Sequence, residues 1–206
     1  MVAPRGGSSR PLKALAGALA WRVVLRPVGG PEGRVATLRA GSAKDGGKDV
    51  SVVALRPVED SDLDALFDQM RDPESVLMAA FTTADPDDRG AFDAHMAMVR
   101  SSPGTTLRAV TCDGRLVGSI GSFVLEGNTE VTYWIERAAW GRGIATRAVA
   151  LLLDLVPTRP LHARAASDNA GSLRVLRKSG FKIIGTETSF AAARKDEIEE
   201  TILCLD

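Results

Sequence analysis

The chain has 206 residues, 45% of them apolar and 25% charged, with 26 basic and 26 acidic side chains. That composition suits one water-soluble domain with a sizeable core, and no apolar run reaches the roughly 20 residues that cross a bilayer. Eight basic residues and one acid, Glu32, fall in the first 44 positions, which leaves the rest net acidic by seven charges and argues against nucleic acid as the partner of a folded domain.

In chain order, residues 1–49 come first, basic and carrying nine glycines. Their apolar stretch, residues 14–21, is short and runs into Arg22. A disordered extension is expected there, with the folded domain over residues 50–206. Val50 to Pro57 reads as the first strand. Glu59 to Asp62 supplies caps for a helix whose apolar face is Leu63, Leu66, Phe67 and Met70. Asp72-Pro73 ends that helix or turns it into a second short one ending near Phe81, and Thr82 to Asp88 is a loop. Phe92, Met96 and Val99 give the next helix its face, broken by Ser101 to Gly104.

Thr105 to Cys112 and Arg115 to Leu125 form a hairpin around Asp113-Gly114, the second strand loosened by Gly118 and Gly121. Glu126-Gly127-Asn128 turns the chain into the strand Glu130 to Ile135. Two glycines, Gly141 and Gly143, lead from it into a helix that buries Val149, Leu152 and Leu153. Pro160 to Ser167 is a strand, Asn169 to Ser179 a helix, and Gly180 its C′ residue with Phe181 packing back. Two strands, Phe181 to Phe190 and Glu197 to Asp206, close the chain. The order predicts an α/β fold with a mixed, mostly antiparallel sheet of about seven strands flanked by about four helices.

Cys112 and Cys204 lie far apart in apolar, strand-like contexts. They are expected as buried, reduced thiols of a cytoplasmic protein. With His95 and His162 the sole histidines, no Cys/His cluster points to a metal.

The run Trp140 to Leu153, WGRGIATRAVALLL, carries the strongest chemical signal. A glycine turn feeding a helix gathers backbone N–H groups and the positive end of the helix dipole at one point, which suits a phosphate. A P-loop would need Lys and then Ser or Thr after its last glycine, and neither follows. A dinucleotide fingerprint would need a third glycine where Thr146 stands. The pyrophosphate turn of an acyl-CoA-dependent acetyltransferase fits, as does a plain strand-turn-helix connection.

A second segment separates these readings. Ser167 to Phe181, SDNAGSLRVLRKSGF, contains N-x-x-S at Asn169 and Ser172 and a helix ending in K-x-G-F. In this order and spacing, the two motifs resemble the GNAT superfamily of N-acetyltransferases. More narrowly they resemble its ribosomal-protein N-terminal acetyltransferase branch, over about Val50 to Asp206.

The resemblance implies acetyl-CoA as cosubstrate, with no metal, and a primary amine as acceptor: a protein N-terminus or a small metabolite. It implies a sheet splayed between the fourth and fifth strands. Backbone N–H groups of Gly141, Arg142, Gly143, Ala145 and Thr146 would cradle the pyrophosphate, with the Arg142 side chain available to a CoA phosphate. Trp140 departs from the Gln or Arg usual in the family. Trp134, Ile135 and Glu136 would present the edge that pairs with pantetheine, with an oxyanion donor N–H near Ile135. Asn169 would contact CoA, although Asp168 and Asn169 also suit a helix N-cap. Ser172 would contact the cofactor and serve the leaving thiolate.

For the base, Glu130 is the first choice, with Glu136 on the same strand face and Glu187 on the sixth strand as further candidates. The resemblance implies direct attack in a ternary complex and allows a homodimer. The rival expectation is a non-catalytic acyl-CoA-binding sensor of the same fold.

Overall fold

The computed structural model describes residues 51–206. The expectation for residues 1–49 lies outside the described residues. Seven strands form one sheet in the order β1-β2-β3-β4-β5-β7-β6. They are β1 (Val53–Arg56), β2 (Thr106–Cys112), β3 (Arg115–Leu125), β4 (Asn128–Ile135), β5 (Leu161–Ala166), β6 (Lys182–Ala191) and β7 (Asp196–Leu205). Five α-helices flank them, one more than expected: α1 (Leu63–Met70), α2 (Pro73–Ala79), α3 (Arg89–Ser101), α4 (Ile144–Leu155) and α5 (Ala170–Lys178). Asp72-Pro73 makes the difference: Asp72 caps α2 by accepting from the Ser75 N–H at 2.9 Å, with Pro73 in its first turn.

Amphipathic patterning divides the core between the two faces of the sheet. On one face, Ile144, Val149 and Leu152 of α4 and Leu176 of α5 pack on Val131, Ile135, Leu161, Ala163 and Leu203. On the other, Leu66 of α1 and Phe92 and Met96 of α3 pack on Val58 and Ala109, with Leu63, Phe67 and Met70 alongside. The predicted periodicities of 3.6 on the helices and 2 on the strands are the ones that bury these residues.

All neighbouring strands pair antiparallel except β4 and β5. That parallel contact spans two residue pairs, Thr129 with Leu161 and Glu130 with His162. Past them the strands part, and residues Val131 to Ile135 of β4 are left without a β5 partner. α4 is the connection that carries the chain from β4 to β5. β3 is regular on one side and loosened on the other: pairing with β4 runs without a register shift from Gly118 with Ile135 to Leu125 with Asn128, whereas toward β2 the register slips by one residue beside Gly118, between the pairs Val110 with Gly118 and Thr111 with Leu116. A Cβ at position 118 would lie 2.0 Å from the Trp134 carbonyl oxygen. The missing side chain lets the two backbones close up.

Among the described residues, no helix is long and apolar enough to cross a membrane.

Candidate active site

The open end of β4, the N-terminus of α4 and the start of α5 converge on one cavity of about 670 Å³. Its wall includes Tyr133, Trp134 and Ile135, then Gly141, Gly143, Ala145 and Thr146, then Asn169 and Ser172. The side of the sheet opposite α4 and α5 adds Arg164, Glu187 and Glu200.

The glycine turn has the geometry of an anion cradle. Gly141 and Gly143 have φ of 73° and 71°, a left-handed backbone that side-chain-bearing residues rarely adopt. No heavy atom lies within 4 Å of where a Cβ would stand at either position, so the turn faces open space. Gly143 is the N-cap of α4, and no side chain bonds to this helix end. The first helical bond at this end runs from the Arg147 N–H to the Gly143 carbonyl at 3.2 Å. The N–H groups of Ile144, Ala145 and Thr146 therefore precede any intrahelical acceptor. The residues present fit a diphosphate.

The exposed Arg142 guanidinium lies 3.4 Å from the Ser51 hydroxyl and 3.9 Å from the Cys112 sulfur, at the end of the sheet where β1 meets β2. Arg147, which sequence reasoning passed over, braces the turn. It donates to the Arg142 carbonyl at 3.1 Å and to the Ser51 carbonyl at 2.8 Å.

At the end of β4 the three expected residues separate. The Glu136 N–H donates to the Val117 carbonyl at 2.8 Å, and its side chain is ion-paired with Arg115. Glu136 is thus committed to β3 on both counts, and its carboxylate lies apart from the cavity wall. The Trp134 indole donates to the Gln69 carbonyl at 3.0 Å, tying β4 to α1. In antiparallel pairing, backbone groups alternate sides along a strand. With Glu136 bonded toward β3, the N–H of Ile135 points to the open edge. Its carbonyl accepts from the Trp140 indole at 2.7 Å.

Asn169 is the N-cap of α5. Its side-chain oxygen accepts from the Ser172 N–H at 2.9 Å, and its amide nitrogen donates to the Met78 carbonyl at 3.2 Å. Both ends of the expected CoA contact are therefore bonded within the protein, while the residue still lines the cavity. Asn169→Ala should cost about 0.5–2 kcal/mol, the usual loss for an N-cap; urea unfolding at neutral pH measures it.

The Ser172 hydroxyl is 2.7 Å from the Tyr133 hydroxyl. Burial pushes the Tyr133 phenol up to about 12, with the Ser172 bond opposing. Tyr133 thus keeps its proton across the physiological range and can donate to Ser172, which leaves the serine hydrogen free to point elsewhere. The Tyr133 ring is half-buried against the core. The phenolic oxygen is the part that reaches the site.

Glu130 is brought to this region but not to the cavity wall. It is 5% exposed and accepts from Arg164 Nε at 3.1 Å. The same guanidinium reaches Glu187 and, at 3.5 Å, Glu200. Burial raises the Glu200 carboxyl to about 7; the charges of Glu187 and Glu130 add to the shift, and Arg164 opposes it. Neither Arg164 nor Glu200 stands out in sequence. Each is one charged residue in a strand, and their meeting depends on β7 lying between β5 and β6.

Residues 53–182 match the family model described as "Acetyltransferase (GNAT) domain". A probable N-acetyltransferase of Bacillus subtilis, YjcK, is 34% identical over 77 residues, which are 34% of this chain and 42% of that relative. The fold is similar to that of Mycobacterium smegmatis RimJ in complex with CoA-disulfide, with TM-score 0.66 and 22% identity over 76% of this chain and 82% of that one. It is also similar to a Salmonella typhimurium acetyltransferase described as modifying the N-terminal serine of ribosomal protein L7/L12. That match has TM-score 0.59 and 16% identity over 74% of this chain and 94% of that one.

Proposed function

The chain belongs to the GNAT acetyltransferase family, and from that premise we propose that it is an N-acetyltransferase moving the acetyl group of acetyl-CoA to a primary amine. One observation carries the reading. A single cavity runs from the uncapped glycine turn, past the open edge at Ile135, to a set of carboxylates on the far side. A sensor needs the first part of that cavity. The carboxylates suit an enzyme whose acceptor arrives as an ammonium.

When bound, acetyl-CoA supplies the thioester carbonyl that the amine attacks. Gly141 to Thr146 would hold the diphosphate through backbone N–H groups. The Ile135 N–H, on the open edge, would stabilise the charge that develops on the carbonyl oxygen. Ser172, oriented by Tyr133, would give a proton to the sulfur side. The carboxylates held by Arg164 would receive the amine. One cavity lined by both sets of residues suits direct attack in a ternary complex. A protein N-terminus and a small metabolite both fit this scheme as acceptors. The buried free thiols of Cys112 and Cys204 support a reducing compartment, in keeping with the cytoplasm.

The test is release of free CoA from acetyl-CoA in the presence of separate amine classes: peptides with a free N-terminus, amino acids and alkylamines. Release that needs an amine supports the reading, and amine-independent hydrolysis or none contradicts it. Ser172→Ala should lower kcat by about 10²-fold, the low end for a positioned proton donor. Stopped-flow turnover beside an equilibrium measurement of acetyl-CoA affinity checks that the loss lies in the chemistry.

A further inference from the structure

Three strands each bring a carboxylate to one guanidinium. Glu130 comes from β4, Glu187 from β6 and Glu200 from β7, with Arg164 of β5 between them. Register produces the meeting: Glu187 lies opposite Glu200 across β6 and β7, and Glu200 pairs with Ala166, two residues past Arg164. The three are not equivalent. Glu130 takes the Nε side at 3.1 Å, is 5% exposed and is absent from the cavity wall. Glu187 and Glu200 share Nη1 and do line the cavity. Glu187 makes the close contact and is half-buried. Glu200, 7% exposed, has the longest contact, 3.5 Å. The charges also do not balance, because one guanidinium faces three carboxyl groups. The excess of carboxyl groups gives the cavity side an acidic character that suits an ammonium substrate.

We propose that Glu200 accepts the proton of the substrate ammonium, and that Glu130 acts through Arg164 as a positioning residue. The proposal rests on the amine N-acetyltransferase reading above. The ammonium gives one proton to the Glu200 carboxylate, which later returns it to solvent. The neutral nitrogen then forms the new C–N bond as the thioester C–S bond breaks. The nitrogen's second proton is lost as the sulfur gains one, so the products are the amide, free thiol and one released proton.

The surroundings suit the role. A carboxyl group that titrates near the working pH is both available and basic enough to take a proton. Glu200 is raised to about 7 by burial first, with the charges of Glu187 and Glu130 adding and Arg164 opposing. The titratable and charged groups facing it are Glu130 from β4, Arg164 and, two residues earlier on the same face, His162 from β5, and Glu187 from β6. Ile198 and Ile202 flank it on β7.

The experiment is a pH profile of kcat/KM for the full chain with the best amine of the panel. Wild type is expected to lose activity toward acid with a midpoint near the Glu200 value of about 7. Glu200→Gln should lower kcat by on the order of 10²–10⁴ and abolish that acid limb, with acetyl-CoA affinity unchanged. Glu130→Gln should keep the limb and move it to lower pH, since one of the negative charges that raise Glu200 is gone.

The reverse result would overturn the proposal: a limb abolished in Glu130→Gln and intact in Glu200→Gln. A carbon-13 titration of the assigned Glu200 carboxyl in wild type decides the matter even if a variant fails to fold. A midpoint near 7 supports the role, and one below about 5, the ordinary carboxylate range, overturns it. Wild type that binds acetyl-CoA but acetylates none of the amines removes the parent reading and this inference together. Full-rate Glu200→Gln with an active wild type removes this inference alone.

Discussion

Gly143→Val is expected to fold and to lose acetyl-CoA binding by about 100-fold or more, a loss of roughly 2.7 kcal/mol. The two halves of this expectation have separate causes. In the protein alone, valine meets no neighbour, since nothing lies within 4 Å of a Cβ at this position. What it meets is backbone strain, because φ is 71° and a left-handed conformation costs an L-residue about 1–2 kcal/mol. A domain stable by the usual 5–15 kcal/mol tolerates that. With a diphosphate on the turn, the branched side chain fills the space the anion needs and keeps it from the N–H groups of Ile144, Ala145 and Thr146. Calorimetric titration with acetyl-CoA, beside thermal unfolding, tests both halves. A folded variant of unchanged affinity would remove the glycine turn from the binding site.

Arg164→Met should destabilise the fold by about 3–5 kcal/mol at pH 8, the usual cost of removing one partner from a buried charge cluster. The deficit should shrink in acid, and the sign can be worked through. Glu200 already has a folded value of about 7 against an ordinary 4.5, and Arg164 is the group that pulls it down. Without the arginine, the Glu200 carboxyl holds its proton still more tightly in the fold than in the unfolded chain. Stability linked to such groups is fully present below the unfolded value and is lost as the pH rises through the folded one. Urea unfolding at pH 5 and at pH 8 should therefore show a small deficit and then a large one. An equal deficit at both would mean that Arg164 acts through packing of its stem.

What could be read in the sequence, and what could not, divides along sequence distance. The glycine turn is a local feature: two left-handed positions and a helix start lie within a few residues, and each leaves its mark on residue type. The hairpin at Asp113-Gly114, with φ of 53° and 83°, is legible for the same reason. The carboxylate cluster is not local. Arg164 meets Glu130 34 residues before it and Glu200 36 residues after it. Period-2 patterning gives Glu130 and Glu136 the same strand face, yet Glu136 pairs with Arg115 at the far end of β3. Which carboxylate faces the cavity depends on where β4 and β5 part, and that is a property of the strand order. Asn169 shows a further limit. One amide can cap a helix or contact a ligand, and residue type alone does not separate the two roles. Here the cap is made.

The 2.7 Å bond from the Trp140 indole to the Ile135 carbonyl joins two grips that sequence reading treats apart. Trp140 directly precedes Gly141, so the loop that would seize the phosphates is pinned to the strand end that would seize the acyl group. The pair then works as a ruler. With both jaws on one rigid bar, the distance along the donor's arm is prescribed before any donor arrives. A donor one link too long or too short can satisfy either jaw, but it will present its carbonyl out of line with the waiting nitrogen. Selection by length would thus show in turnover more than in affinity.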